Sequence, residues 1–285
     1  MPGPTQEFDL EAAPGQWRLT RADPCPALSG LVVEYWEVFG TLSAFRETLL
    51  PNGCVELMLN LGPSHRLLSE QGAGTWDGAW FSGLHERSLI IESMDGTHLV
   101  SVRMTPLAAV ELLGAMVAEC VNSVVELSTV LGEDAATLRT SIAAASDPVE
   151  RFSVLETFLL RRRRQENAAP DFVRNAVIRI EQAHGNLRVT ELHHELAVSR
   201  KHLAVMFKHH VGISAKAYAN VRRFVWTLQR LRESTSVDWS KLAAESGYSD
   251  QSHLVRDFRR LGAASPTEYL RHRAPEGDAL LYDAG

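Results

Sequence analysis

The residues best suited to specific chemistry lie in one short stretch, GYSDQSHLVRDFRR, which runs from Gly247 to Arg260. Leu254 and Phe258 are four positions apart, so they share one face of a helix, and that face must pack against the protein. Gln251 and Arg256 then lie on the opposite face. Amide and guanidinium groups of this kind form hydrogen bonds with base edges in the major groove of DNA.

Two short helices joined by a tight turn would position these side chains. The segment 239–246 predicts the first helix, and Gly247 predicts a turn with positive φ. Asp250 is placed to cap the second helix, and the apolar stripe continues to Leu261. This pattern predicts a helix-turn-helix unit, in which the second helix enters the major groove.

The same unit occurs twice in the chain, which predicts two similar modules side by side. The earlier copy has a supporting helix at 192–196 and a second helix at 199–210, and a connecting helix is predicted for 218–233 with Phe224, Leu228 and Leu231 inward. Positions Ser199, Leu203, Phe207, Ser214 and Tyr218 recur 51 residues later as Asp250, Leu254, Phe258, Ser265 and Tyr269.

The outward positions of the two second helices are the predicted DNA contacts. In the first module they are Arg200, Lys201, Ala204, Val205 and Lys208, and in the second they are Gln251, Ser252, Val255, Arg256 and Arg259. Because Ala204 and Val205 offer only apolar contacts, for example to thymine methyl groups, the first module is expected to distinguish fewer bases than the second.

Charge is distributed unevenly along the chain. The net charge is −6, but residues 1–167 hold 12 Lys and Arg against 22 Asp and Glu, whereas residues 168–273 hold 17 against 10. An acidic half joined to a basic half predicts a polyanionic partner for the basic half alone. Segregation of charge by domain, without a polyanion, is the alternative interpretation.

The composition is that of an ordinary globular protein, with 285 residues of which 45% are hydrophobic and 22% charged. The three cysteines, Cys25, Cys54 and Cys120, form no CxxC pair, which predicts a reducing compartment. The chain has no apolar run of membrane-spanning length and no secretory signal at its start. We therefore expect a cytoplasmic, nucleoid-associated protein with no membrane contact.

The fold class predicted is α+β: a small antiparallel β barrel or sheet with following helices, then an all-α domain. The domains expected are 1–164 for effector sensing or dimerisation, a linker at 165–171, the DNA-binding domain at 172–273 and an acidic tail at 274–285. Strands are predicted for 31–40, 54–62, 79–84, 88–93 and 97–104, and helices from Pro106 onward. The arginine run 161–164 fits either phosphate binding or the solvated end of a helix.

Residues 172–273 resemble the double helix-turn-helix domain of the AraC/XylS family of bacterial transcription regulators. The motifs that carry the resemblance are LxxxLxxSRKHLxxxFKxxxGIS (192–214) and LAAESGYSDQSHLVRDFRRxxxxSPTEYL (242–270). The resemblance implies a DNA-binding regulator without a catalytic centre. The sequence departs from the family pattern at His193, Ala197 and Ala215, and Ala263 holds the position where the family has Gly.

Residues 27–164 resemble, less specifically, the N-terminal sensor domain of a subgroup of these regulators, and no catalytic, metal or cofactor motif occurs in the chain. The predicted effector-binding residues are Trp36, Glu56, Trp80, Phe81, His85 and Arg103. Trp36 and Phe81 fit the core equally well, and Arg103 fits either binding of an acidic ligand or an ion pair with Glu56.

The partners expected are double-stranded DNA, a small-molecule effector, RNA polymerase and a second copy of the chain. Two other functions are kept as alternatives. The first is a barrel enzyme that converts a small molecule and carries a DNA-binding appendage. The second is a structural nucleoid protein, which would bind DNA without sequence preference.

Overall fold

The computed structural model describes residues 1–12, 15–42, 45–69, 72–93, 96–163, 168–233, 236–274 and 279–283. Short antiparallel strands dominate the first hundred residues of the described chain; a short strand lies among the helices that follow, and another follows the last helix. Their bounds are β1 Thr5–Ala12, β2 Gly15–Ala22, β3 Val32–Leu42, β4 Phe45–Leu49, β5 Val55–Asn60, β6 His65–Ser69, β7 Gly72–Trp76, β8 Ala79–Ser82, β9 Leu89–Ser93, β10 Thr97–Met104, β11 Val124–Glu126 and β12 Ala279–Asp283.

The strands form two antiparallel sheets. The larger has the order β1-β2-β3-β10-β5-β8-β11 and the smaller has the order β12-β4-β9-β6-β7. Successive side chains of a strand point to opposite faces of its sheet. In the larger sheet one face therefore carries Trp36, which lines a cavity, and the other carries Tyr35, which is fully buried and stacks on Phe152 at 5.9 Å between ring centroids.

Helices cover that second face of the larger sheet. They are α1 Pro106–Leu113, a 3-10 helix Ala115–Glu119, α2 Leu127–Leu131, α3 Asp134–Ala144 and α4 Pro148–Arg162. Asp147 caps α4 and Pro148 occupies its first turn. A buried ion pair ties α4 to β3, because Arg151 donates two hydrogen bonds of 2.8 Å to the Glu37 carboxylate.

The C-terminal part of the chain is helical up to its final strand. Its helices are α5 Asp171–Gln182, a 3-10 helix Val189–Glu191, α6 Leu192–Glu195, α7 Arg200–Val211, α8 Ala215–Glu233, α9 Trp239–Glu245, α10 Gln251–Gly262 and α11 Pro266–His272. The connecting helix α8 starts at Ala215, three residues before its predicted start. Phe224, Leu228 and Leu231 are buried, as predicted.

Two hydrophobic cores hold the molecule together, and each one includes residues of both halves. The first joins the larger sheet and α1–α4 to Phe207 and other residues of α5–α8. The second surrounds Phe258 of α10 and includes Leu50, which follows β4, and Leu280 of β12. Both helix-turn-helix units are therefore packed against the N-terminal half of the chain.

Several elements differ from the sequence-based expectations. Strands β1 and β2 were not predicted, and Val124–Glu126 forms a strand on β8 where a helix was expected. The segment predicted as an acidic tail contains β12, which pairs with β4 from Ala279 to Asp283. In the arginine run, Arg162 binds Asp134 of α3 and Arg163 binds Glu111 of α1, so these two residues tie the end of α4 to the neighbouring helices. Arg164 lies outside the described residues.

Candidate nucleic-acid interface and ligand cavity

The two helix-turn-helix modules repeat the same local geometry. The turn before each second helix contains a residue with positive φ, which is Ala197 (φ 53°) in the first module and Gly247 (φ 73°) in the second. A polar side chain then caps the helix: Ser199 Oγ accepts from the His202 amide at 3.1 Å, and Asp250 Oδ1 accepts from the His253 amide at 2.8 Å. Ala197 adopts a conformation that strains any residue with a Cβ atom.

The helices that follow, α7 and α10, are each twelve residues long, and we call them the first and second recognition helices. Leu203 and Phe207 of the first are buried, as are Leu254 and Phe258 of the second. The apolar stripe thus packs each helix against its module and leaves the opposite face to solvent.

The structure places the predicted DNA contacts on these outer faces, with one difference. Val255 is half-buried and packs against the second core, so it is less available than expected. Among the described residues, the cations of the two faces form no salt bridge within the protein, which leaves their charge available to a ligand. The exposed members of the set are Arg200, Lys201, Ala204, Val205, Lys208, Gln251, Ser252, Arg256 and Arg259.

A buried ion pair fixes the second recognition helix on the connecting helix. Arg223 of α8 donates to Asp257 of α10 at 3.0 Å, and the two side chains are only 9% and 10% exposed. The same guanidinium lies over the ring of Tyr248 at 4.5 Å from its centroid. Sequence analysis missed this pair, because nothing in the local pattern shows that Arg223 faces inward.

At the start of α10 the capping carboxylate is stabilised in its charged form. Hydrogen bonds from the His253 backbone amide and the Ser249 hydroxyl lower the pKa of Asp250. The helix dipole favours a negative charge at this end. Asp250 therefore stays ionised at neutral pH, and it holds the Gln251 end of the helix in place.

A cavity of about 240 Å³ lies between the two sheets. It is lined by four of the six predicted effector-binding residues: Trp36, Glu56, His85 and Arg103. The other two belong to the packed interior instead. Phe81 is fully buried in the first core, and Trp80 is 7% exposed with its indole N–H directed at the Met58 sulfur at 3.1 Å.

The polar end of the cavity is an ion-pair network on three neighbouring strands. Arg103 of β10 stands opposite Glu34 of β3 and opposite Glu56 of β5 in the strand register. Its guanidinium donates to Glu34 at 2.7 Å and to Glu56 at 3.0 Å. Glu56 also accepts hydrogen bonds from Trp36 Nε1 and Asn52 Nδ2, each at 3.0 Å. The ion pair with Glu56 was one of the two roles considered for Arg103.

His85 lies next to this network. One ring nitrogen, Nε2, is 3.0 Å from the Ser82 hydroxyl, and Nδ1 is buried without a hydrogen-bond partner among the described residues. Burial lowers the pKa of His85 to about 4, so the ring is neutral at pH 7. It can therefore exchange hydrogen bonds with a ligand, but it supplies no positive charge.

Among the cavity-wall residues that the sequence did not predict, three bear on the position of β12. Glu47 of β4 lines it, and so do Ala279 and Leu281 of β12. The alternation of Phe45, Glu47 and Leu49 was a signal for Glu47, since these side chains share one face of a strand. No local signal could place β12 there, because its partner strand lies more than two hundred residues earlier in the chain.

The part of the chain that the structure describes holds neither a metal-binding cluster nor a membrane-spanning helix. There, no three His, Cys, Asp or Glu side chains are grouped in a way that could hold a metal ion. No helix of the described residues combines the length and apolar character needed to cross a bilayer. Cys25 and Cys120 are buried free thiols, and Cys54 is half-buried in the cavity wall.

Comparison with known proteins gives matches to both parts of the chain. A family described as a helix-turn-helix domain matches residues 192–272, and a domain of unknown function (DUF6597) matches residues 20–126. An AraC-like transcription regulator from Streptomyces antibioticus is 36% identical over 87 residues, which are 30% of this chain and 28% of that protein. The chain thus spans less than a third of this relative's length.

Solved structures of ToxT from Vibrio cholerae are also similar to the chain. One has 12% sequence identity and a TM-score of 0.47, and the match covers 82% of this chain and 98% of ToxT. A structure of ToxT with a bound unsaturated fatty acid has 14% identity and a TM-score of 0.46, with coverage of 83% and 94%.

The duplicated modules and the family match together define the C-terminal part of the chain as a helix-turn-helix DNA-binding domain. The AraC-like relative matches over a segment of comparable length. This relative is an AraC-like regulator, and the motifs of the sequence resemble the same family.

Proposed function

We propose that this protein is a sequence-specific DNA-binding transcription regulator that inserts its two recognition helices into successive major grooves. The observation that carries the proposal is the duplicated module. Each copy packs an apolar stripe inward and presents exposed cations, such as Arg200 and Arg256, that form no salt bridge among the described residues. Such cations bind the phosphates and base edges of DNA.

The two recognition helices differ, so the site that they bind is asymmetric. Gln251, Ser252 and Arg256 of the second helix can form hydrogen bonds with bases, and Arg256 suits guanine. In the first helix the middle of the exposed face is apolar, with Val205 58% exposed. We infer that the second module provides most of the sequence preference and that the first adds phosphate contacts and contacts to methyl groups.

We also propose that a small effector in the cavity between the sheets modulates DNA affinity. The strand β12 links the cavity to the second module, because its two faces contact different parts of the molecule. Leu281 lines the cavity, while Leu280 belongs to the second core and Tyr282 stacks on His272 of α11 at 4.6 Å. A ligand that moves β12 therefore also moves the wall against which the second module packs.

The first module has its own contact with the N-terminal half. The first recognition helix ends at Gly212 (φ 91°), and a Cβ atom there would lie 2.7 Å from the Ala118 carbonyl oxygen. This close packing sets the position of α7 relative to the sheets. With both modules held this way, the N-terminal half determines their relative orientation. Differential affinity of an effector for two orientations would then couple the sites.

A location in the cytoplasm, with access to the chromosome, completes the proposal. Contact with RNA polymerase and pairing with a second copy of the chain stay predictions of the family resemblance. A conversion of small molecules by the β domain, the rival function, predicts turnover of a ligand, which an activity screen of the purified chain would detect.

Single substitutions on the recognition helices test the proposal. Arg256→Ala should weaken binding to a preferred duplex by about 1–3 kcal/mol and remove the preference at one base pair. Lys208→Ala should weaken binding to all duplexes about equally and reduce the salt dependence by about one ion. Arg139→Ala, on the exposed surface of α3, is the matched control and should change neither. Unchanged base preference in Arg256→Ala would refute the role of the second helix.

A further inference from the structure

One carboxylate of the cavity wall, that of Glu47, lies among apolar side chains, where a protein core does not normally place a charged group. Glu47 is the central residue of β4, with Phe45 and Leu49 on the same face of the strand. In the sheet register it stands opposite Ile91 of β9 and opposite Leu281 of β12, and both of these also line the cavity. Glu47 is therefore surrounded within its sheet by apolar side chains and faces the cavity.

Within the described part of the chain, the Glu47 carboxylate has no salt bridge and no hydrogen bond. Desolvation by burial alone raises its pKa to about 7, and no neighbouring charge contributes to the shift. A half-buried carboxylate that faces an apolar cavity without a partner costs free energy. A ligand with a positive charge therefore gains more binding free energy next to Glu47 than elsewhere in the cavity.

The remaining charged groups of the cavity already compensate each other. The guanidinium of Arg103 is held between Glu34 and Glu56 at 2.7 and 3.0 Å. Arg21 is the other lining cation, and its Nε lies 3.6 Å from Glu34. The cavity wall thus has two arginines against three carboxylates, with Glu47 as the excess negative group. An anionic ligand would have to break the existing ion pairs, whereas a cation would complete the balance.

The size and walls of the cavity limit the rest of the ligand. A cavity of roughly 150 Å³ accommodates a benzene molecule, and this one, at about 240 Å³, has space for a ring and a short chain. Its walls include the indole rings of Trp17 and Trp36. Aromatic faces attract cations as well as apolar groups, so they are compatible with an organic ammonium ion.

We propose that the cavity binds a small organic ammonium ion with an apolar body, whose N–H groups donate hydrogen bonds to Glu47. The inference rests on the proposed effector function, and it adds the chemical class of the effector. The apolar body lies between the two sheets, in contact with Ile91 and Leu281. A ligand in this position contacts β12, and the second module packs against the other face of that strand.

Titration of the full chain with 2-phenylethylammonium, followed by calorimetry at pH 8, tests the proposal. The wild-type protein should bind this ion, and Glu47→Gln should bind it at least about tenfold more weakly, because the charge-assisted hydrogen bond is lost. The matched control is Glu92→Gln. Glu92 of β9 lies beside Ile91 on the other face of the same sheet, where it pairs with Arg46 and Arg66. This variant should bind like the wild type.

Two neutral or anionic analogues of the same shape provide the second comparison. Binding of 2-phenylethanol and 3-phenylpropanoate should be at least about tenfold weaker than binding of the ammonium ion. Absence of ammonium binding at millimolar concentration, equal binding by Glu47→Gln, or a preference for the carboxylate would each overturn the proposal.

A DNA-binding titration in the presence and absence of the ammonium ion separates the ligand class from its regulatory role. If the ion binds through Glu47 and changes DNA affinity, both inferences are supported. If it binds through Glu47 and DNA affinity is unchanged, the ligand assignment is supported and regulation by this ligand is refuted. If the wild type binds DNA but not the ion, the assignment fails and the DNA-binding function stands.

Discussion

Removal of the Asp257 carboxylate should be one of the most destabilising single changes on the surface between α8 and α10. Asp257→Ala leaves the Arg223 guanidinium without its closest anionic partner in a site where it is only 9% exposed. Arg223 keeps weaker contacts with the Asn220 side chain at 3.3 Å and the Gly247 carbonyl at 3.5 Å. Neither of these supplies a negative charge.

The expected cost follows from burial. Breaking a buried ion pair by removing one partner costs about 3–5 kcal/mol, because the other charge stays desolvated. Asp134→Ala is the matched control. Asp134 binds Arg162 at the shorter distance of 2.6 Å, but it is 58% exposed, so its loss should cost less than about 1 kcal/mol. Distance alone would predict the opposite order.

Urea unfolding of the full chain, followed by circular dichroism, measures both values. The double variant Arg223→Met/Asp257→Leu should recover part of the lost stability, since it removes the buried charges together. Asp257→Ala should also lose specific DNA binding before non-specific binding, because the pair positions the second recognition helix. A cost within about 1 kcal/mol, equal to that of Asp134→Ala, would refute the reasoning.

Three further changes test other parts of the structure. Burial raises the pKa of Glu47 from its ordinary 4.5 to about 7, so the folded chain loses stability as pH rises through this range. Thermal melts at a series of pH values should therefore show Glu47→Gln to be more stable than the wild type by about 3 kcal/mol at pH 8 and nearly equal to it below pH 4.5. A difference that does not change with pH would contradict the desolvation of an unpaired carboxylate. Ala197→Gly should raise stability by about 0.5–1 kcal/mol, since it relieves a positive φ, whereas Ala204→Gly within α7 should lower it by about 1 kcal/mol; a loss in both would contradict the strained turn. Leu280→Ala should lower the free energy of unfolding in urea by about 2–4 kcal/mol, because Leu280 is 1% exposed in the second core. The control Leu160→Ala, at a residue that is 39% exposed, should lower it by less than about 1 kcal/mol; equal losses would show that β12 is not part of this core.

The DNA-binding half could be predicted in detail because its signals are local. The caps at Ser199 and Asp250, the turn at Gly247 and the stripe through Leu254 each depend on residues a few positions apart. The repeat then allowed the first module to be predicted from the second. Val255 was the exception. It lies at the border of the outer face, where a small rotation of the helix decides between solvent and core.

The β half could be predicted only in part because strand pairing is nonlocal. The central strand β10 has the predicted bounds, but β12 depends on a partner at the other end of the chain. The same limit applies to the effector-binding residues predicted in β8, where Phe81 belongs to the first core and Trp80 is 7% exposed. The three residues from Ala79 to Phe81 are all buried, so β8 lacks the alternation that separates cavity from core.

Selection of binding sites from a randomised duplex library with the full chain tests the central claim most directly. If both recognition helices contact bases, the enriched sequences should form an asymmetric site with two blocks about 10 base pairs apart. The block bound by the second module, which carries Gln251 and Arg256, should be the better defined of the two. No enrichment over random sequence would contradict the claim that this protein recognises DNA sequence.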